Sequence, residues 1–271
     1  MSIGGFLYEG GFISYNKNMF AKKKIFILIL AGAVVAAGFF IWQDFQKTKK
    51  PTSDVDIIGS SSQKEEISTS TEAMVLVQDF KNRMPSLDEK IVVKGNFTEA
   101  QKADLTQQIK DTSELLKGSF DYYQGWLHLG LLKKAIEDYK GAEEAWKFAV
   151  LIRPKEFLAF NNLGVLYHFY LKDYPKAEEN FLKAIENKPD ELMVYYNLHE
   201  LYRFSYQEKS GLADDILLEG AEKNPKNANF LTVLARYYRD TGDNDKARAY
   251  FEKALALDPL NEAIQTELER L

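Results

Sequence analysis

Four prolines set the frame of this chain. Pro154, Pro189, Pro225 and Pro259 follow one another at intervals of 35, 36 and 34 residues, and each closes an apolar helix-like run: WKFAVLIRP, FLKAIENKP, LLEGAEKNP and FEKALALDP. Proline lacks the N–H that a helix needs and its ring collides with the preceding turn, so each one ends its run. A fixed period of this length, with a helix–turn–helix pattern inside it, belongs to arrays that stack repeat on repeat. Each helix pair then buries its apolar face on its neighbours, and three or more pairs are needed for stability. The expected fold class is therefore all-α, a helical solenoid.

The residues within each period agree in detail. The first carries Trp126, Leu129, Gly130, Ala142, Trp146, Ala149 and Pro154. The second has Leu163, Gly164, Tyr167, Ala177, Phe181, Ala184 and Pro189, with one extra residue in its internal turn. The fourth has Leu234, Ala235, Tyr238, Gly242, Asp243, Ala247, Phe251, Ala254 and Pro259 without insertion. The third departs most. It keeps Leu198, Tyr202, Ala213, Leu217 and Pro225, but His199 stands where a small residue is expected, Gly220 replaces the late alanine, and two residues are inserted. This pattern resembles the tetratricopeptide repeat family over roughly residues 119–259. The resemblance implies four helix–turn–helix repeats, at 121–154, 155–189, 190–225 and 226–259, followed by a capping helix at 260–271. Thr98 with Gln101 fits a capping box, and Leu105, Ile109, Leu115 and Leu116 supply an apolar stripe, so the helical domain is expected over 98–271.

In this family the first helix of each repeat lines a concave groove. Mapped by the Leu-Gly register, the resemblance places Leu127, His128 and Leu131 there from the first repeat, and Asn161, Asn162, Val165 and Phe169 from the second. The third offers Met193, Tyr196, Asn197, Arg203 and Phe204, and the fourth Arg236. Lys134, His168, Glu200 and Arg239 fall on the same rows. The surface expected is aromatic and aliphatic in the middle and cationic towards the end. Asn162 and Asn197 can each give a side-chain amide to an extended peptide backbone. The carboxylate clamp of chaperone-binding members is not reproduced, since of its positions only Asn162 fits. The expected partner is a protein or peptide segment.

The N-terminal part reads differently. Residues 1–24 form a short tail, and residues 25–42, IFILILAGAVVAAGFFIW, contain no charge. As a helix they would be about 27 Å long, close to a hydrocarbon core of roughly 30 Å. They are expected to cross a lipid bilayer once. Lys22, Lys23 and Lys24 abut the run, which favours a cytoplasmic N-terminus and an extracytoplasmic repeat domain. A cleavable signal peptide ending near Ala37 is the alternative. Gly32/Ala36 and Ala33/Ala37 have the small-xxx-small spacing that would let two such helices pair as a homodimer. Residues 43–97 read as a linker, rich in Ser, Thr and charge up to residue 73. Short apolar runs at 74–80 and 91–93 suggest a brief helix and a strand-like edge.

Composition removes whole classes of activity. The chain of 271 residues has no cysteine, so thiolate metal sites, cysteine nucleophiles and disulfides are excluded. Its three histidines show no metal-ligand spacing, and no phosphate loop or nucleophile elbow occurs. Glu178-Glu179 and Asp214-Asp215 read as solvated faces of second helices. No enzyme activity and no cofactor are expected. The net charge is −5; residues 1–50 carry seven lysines against two acids, +5, which leaves −10 on the remainder and argues against nucleic acid as a partner. The reading is a membrane-tethered scaffold for protein–protein interaction. The alternative is an assembly subunit that self-associates through the membrane helix and the repeat ends.

Overall fold

The computed structural model describes residues 78–271. The tail, the apolar segment 25–42 and the linker up to residue 77 lie outside the described residues. Among those described, no helix is long and apolar enough to cross a membrane. All regular structure in them is helical, without strands.

A helix at Glu99–Gly118 (α1) opens the array. Its capping box forms as the sequence expects: Thr98 Oγ1 accepts from Gln101 N–H at 3.3 Å, while Gln101 Oε1 accepts from Thr98 N–H at 2.9 Å. The first helix pair is Tyr123–Ala135 (α2) with Tyr139–Ile152 (α3). The second is Phe157–Leu166 (α4), extended by a π turn at Tyr167–Leu171, with Tyr174–Asn187 (α5). The third is Leu192–Glu200 (α6), a π turn at Leu201–Ser205 and a 3₁₀ turn at Gln207–Leu212, then Ala213–Lys223 (α7). Ala228–Thr241 (α8) with Asn244–Leu257 (α9) form the fourth, and Glu262–Glu269 (α10) caps the array.

The π turns have a simple cause. In the first and fourth pairs the internal turn closes with Asp138 N–H on Lys133 C=O and Asp243 N–H on Tyr238 C=O. In the second, Asp173 N–H reaches back to Tyr167 C=O, one residue further, so the inserted residue widens the last helical turn instead of lengthening the loop. Asp138, Asp173 and Asp243 each cap the following helix by accepting a backbone N–H from Gly141, Lys176 and Lys246. The third pair has Leu212 in that place and no side-chain cap, which matches its irregular turn.

Between pairs, large residues fill the gaps left by small ones. Trp126, Trp146, Phe181, Phe230 and Phe251 are fully buried, and Trp126 packs against Phe148 at 4.6 Å between ring centroids. Polar ties repeat with the same period. Asn187 Nδ2 donates to Pro154 C=O at 3.0 Å, and Asn224 Nδ2 to Pro189 C=O at 2.8 Å. Tyr167 donates its hydroxyl hydrogen to Glu143 at 2.6 Å, and Tyr202 donates to Glu178. Glu178 corrects the expectation of a solvated face: its side chain is 13% exposed and also accepts from Lys209 Nζ. It joins two repeats because second-helix carboxylates meet the tyrosine of the next first helix.

The linker expectation also needs correction where it can be seen. Residues 78–83 are helical, but Ile91–Val93 form no strand. Instead Met84, Leu87, Ile91, Val93 and Phe97 pack on the core, and Lys94 N–H donates to Ile136 C=O at 3.2 Å. Asp88 pairs with Lys117 and Glu89 approaches buried Lys133 at 3.8 Å. This stretch is part of the folded body because its apolar side chains cover the open face beside α1 and α2.

Candidate functional site

The first helices of successive pairs lie side by side, and their contacts show it. Asn197 Nδ2 on α6 donates to Asn161 Oδ1 on α4 at 2.9 Å, and His168 Nε2 meets Ser205 Oγ at 2.8 Å, joining the two π turns. Arg203 stands 5.1 Å over the ring of Tyr237 on α8, and Arg236 Nε donates to Glu267 on α10 at 3.1 Å. A continuous face therefore runs from α4 to α10.

The candidate residues divide by exposure. Phe169, Met193 and Phe204 are exposed at 37%, 41% and 38%. His128, Leu131, Asn162, Val165, Tyr196, Asn197 and Arg203 are half-buried. Asn162 makes no side-chain hydrogen bond among the described residues, so its amide is available to a ligand. Leu127 and Asn161 are each only 4% exposed and correct the expectation that they line a groove. Asn161 is engaged by Asn197 of the next first helix, and Trp146 of α3 donates its indole N–H to Leu127 C=O at 3.1 Å. Asn197 has part of its hydrogen-bonding capacity taken by Asn161. The cationic end is also corrected: Arg236 and Arg239 both pair with Glu267 of α10, so the capping helix neutralises it.

Burial tunes the ionisable groups. Desolvation holds His128 and Lys134 below their ordinary values, and pushes His168 and His199 down to about 4. His199 is buried, with Nδ1 2.7 Å from Ala213 C=O; a carbonyl can only accept, so this nitrogen carries the hydrogen. Both rings are buried among the repeats and held neutral there. Burial drives Glu200 up to about 7, against the opposing hydrogen bond from Tyr196, 3.1 Å away, and the nearby Arg203. The folded state then favours protonated Glu200. Its penalty is absent below pH 4.5 and complete above pH 7. Glu200→Gln is expected to stabilise the protein by about 1–2 kcal/mol at pH 8 and to change little at pH 4. Urea unfolding at both pH values checks this; equal effects at both would exclude the buried-carboxylate account.

Two exposed residues next to Phe169 escape the sequence reading. Tyr170 is 42% exposed and Leu171 38%, both in the π turn after α4. A helical register carried past Leu166 does not place them, because the widened turn rotates everything after it. The signal is present in the spacing from Tyr167 to Asp173. Among the described residues no group of three His, Asp or Glu side chains could hold a metal ion.

Residues 158–191 and 228–261 match tetratricopeptide repeat family profiles, so the chain carries repeats of this kind. No curated protein matches the chain. Among solved structures, MamA is similar at 22% identity, over 59% of this chain and 92% of that one, with a TM-score of 0.44. YrrB, described as a TPR protein with an unusual peptide-binding site, is 15% identical over 64% of this chain and 87% of its own, TM-score 0.42. A thermophilic TPR protein of Thermus thermophilus, TTC0263, is 16% identical over 63% and 93%, TM-score 0.42.

Proposed function

We propose that this protein is a scaffold that binds an extended segment of a partner protein along the face of its first helices. Tetratricopeptide repeat proteins are generally protein–protein interaction scaffolds of a typically non-enzymatic kind. The observation that carries the reading here is the exposure of Phe169, Met193 and Phe204 beside the unengaged amide of Asn162 on one continuous face. Exposed apolar side chains gathered on one face mark an interaction site more often than a solvated one. An amide with free donors and acceptor can pair with a backbone, as recognition of extended peptides requires. In-cell crosslinking and capture should recover a defined protein with the wild type and lose it with an Asn162→Ala, Met193→Ala, Phe204→Ala variant of unchanged helicity. Equal recovery by both would refute this face as the binding site and turn attention to self-association.

The tether belongs to the same proposal. Residues 25–42 would hold the scaffold at a bilayer, with the N-terminus in the cytoplasm and the repeats outside it, and their small residues would let two copies pair. The absence of cysteine makes the topology easy to read. With Ser2→Cys and Ala263→Cys introduced separately, an impermeant maleimide added to intact cells should label the second and reach the first only after lysis. The opposite pattern would invert the topology, and a chain released from the membrane fraction would refute the tether.

A further inference from the structure

The first helices share a row of basic residues at one register position of the groove, to which the groove reading assigns no ligand chemistry. Lys134, His168, Arg203 and Arg239 recur at intervals of 34, 35 and 36 residues, one per repeat. Their surroundings differ. Arg239 is paired with Glu267 and Asp240. His168 is buried against Ser205, and desolvation keeps it neutral. Lys134 and Arg203, by contrast, make no ion pair among the described residues. Lys134 Nζ lies 6.0 Å from the Trp146 ring centre and 5.8 Å from that of Tyr170, whose exposed ring packs 5.0 Å from Tyr139. The Arg203 guanidinium lies 4.9 Å over Phe204 and 5.1 Å over Tyr237. Glu200 is the carboxylate near Arg203, and it accepts from the Tyr196 hydroxyl and is held largely protonated below neutral pH.

Each of these cations is partly buried against aromatic walls and makes no direct ion pair among the described residues. Ring faces compensate part of the hydration lost on burial, and a carboxylate would compensate much more. Between the two, the middle of the row is neutral at His168 and apolar at exposed Phe169. Packed helices stand 8–10 Å apart, so two steps along the array separate the cations by roughly 16–20 Å. An extended chain advances about 3.3 Å per residue and covers that span in about six.

We propose that Lys134 and Arg203 are two carboxylate-reading subsites, which select an extended partner segment bearing two acidic side chains about six residues apart with apolar residues between them. The proposal rests on the groove reading above and specifies its ligand. The test uses the full chain and two fluorescein-labelled decapeptide libraries, acetylated and amidated so that side chains supply the only carboxylates. One library fixes Glu at positions 3 and 9, the other Gln; the remaining positions are randomised over apolar and neutral residues. Fluorescence anisotropy should show about ten-fold tighter binding of the Glu library. Lys134→Gln and Arg203→Gln should each remove a three-fold or larger part of that preference, while Lys134→Arg retains it and all melt as the wild type does. Equal binding of the two libraries, or a preference that survives both Gln variants, overturns the acidic selection alone. No binding of either library overturns the groove reading with it. Tighter binding of a labelled single-stranded 12-mer oligonucleotide than of the Glu library also overturns the proposal.

Discussion

Gly130→Ala is expected to destabilise the array by roughly 3 kcal/mol and to lower its melting temperature by about 6–12 °C. A Cβ at this position would lie 2.2 Å from Nε1 and 2.5 Å from Cε2 of Trp146. The indole has nowhere to move, because Trp146 is 1% exposed and its N–H is bonded to Leu127 C=O. Making room means breaking that bond and parting α2 from α3, which reaches the neighbouring repeats through their shared core. Gly118→Ala is the matched control. Nothing lies within 4 Å of its Cβ position, at the last residue of α1, and alanine there should be neutral or stabilising by about 0.5 kcal/mol. Thermal melts followed by circular dichroism decide it. Indistinguishable melting of the two variants would mean that close helix approach at Gly130 contributes nothing.

Acid should unfold this protein earlier than its carboxylates alone would suggest. His168 and His199 are held near 4 in the folded state, against about 6.5 in an unfolded chain, because burial disfavours their charged forms. Between those values the unfolded chain binds more protons, so the stability they support is complete above pH 6.5 and lost as pH falls towards 4. Each should contribute roughly 2–3 kcal/mol to that loss. Glu200 acts in the opposite direction over much of the same range, and one raised carboxylate offsets part of two lowered imidazoles. Urea midpoints should therefore fall from pH 7 to pH 4.5, and His199→Gln should remove more than half of the fall that the histidines leave after the Glu200 offset. A profile for His199→Gln parallel to that of the wild type would show that protonation of this ring is not coupled to unfolding.

Much of the helical framework is legible in the sequence. The proline spacing and the recurrence of leucine, small residue and tyrosine identify the helix pairs, because those residues report packing that is nearly local and periodic. The capping box at Thr98 was legible for the same reason: both partners sit within one turn. The departures at the second and third repeats were visible as insertions, but not their consequence. An inserted residue can enter a loop or widen a helix, and only the hydrogen-bond ring closed by Asp173 on Tyr167 shows that it widened the helix and brought Tyr170 and Leu171 to the surface.

The candidate face was legible as a set of positions, not as a set of available groups. Leu127 and Asn161 hold the expected places yet are enclosed by the adjacent helix, and Arg236 holds its place yet is neutralised by Glu267. By itself, then, the sequence determined that this chain folds as stacked helix pairs and which side of each first helix faces along the array. That follows from covalent spacing and side-chain size, which act within a repeat. Tertiary structure alone decided which of those side chains remain open. Exposure and charge depend on partners about thirty residues away or more, such as Glu267 for Arg236 and Ser205 for His168, whose approach is set by how one repeat rests on the next.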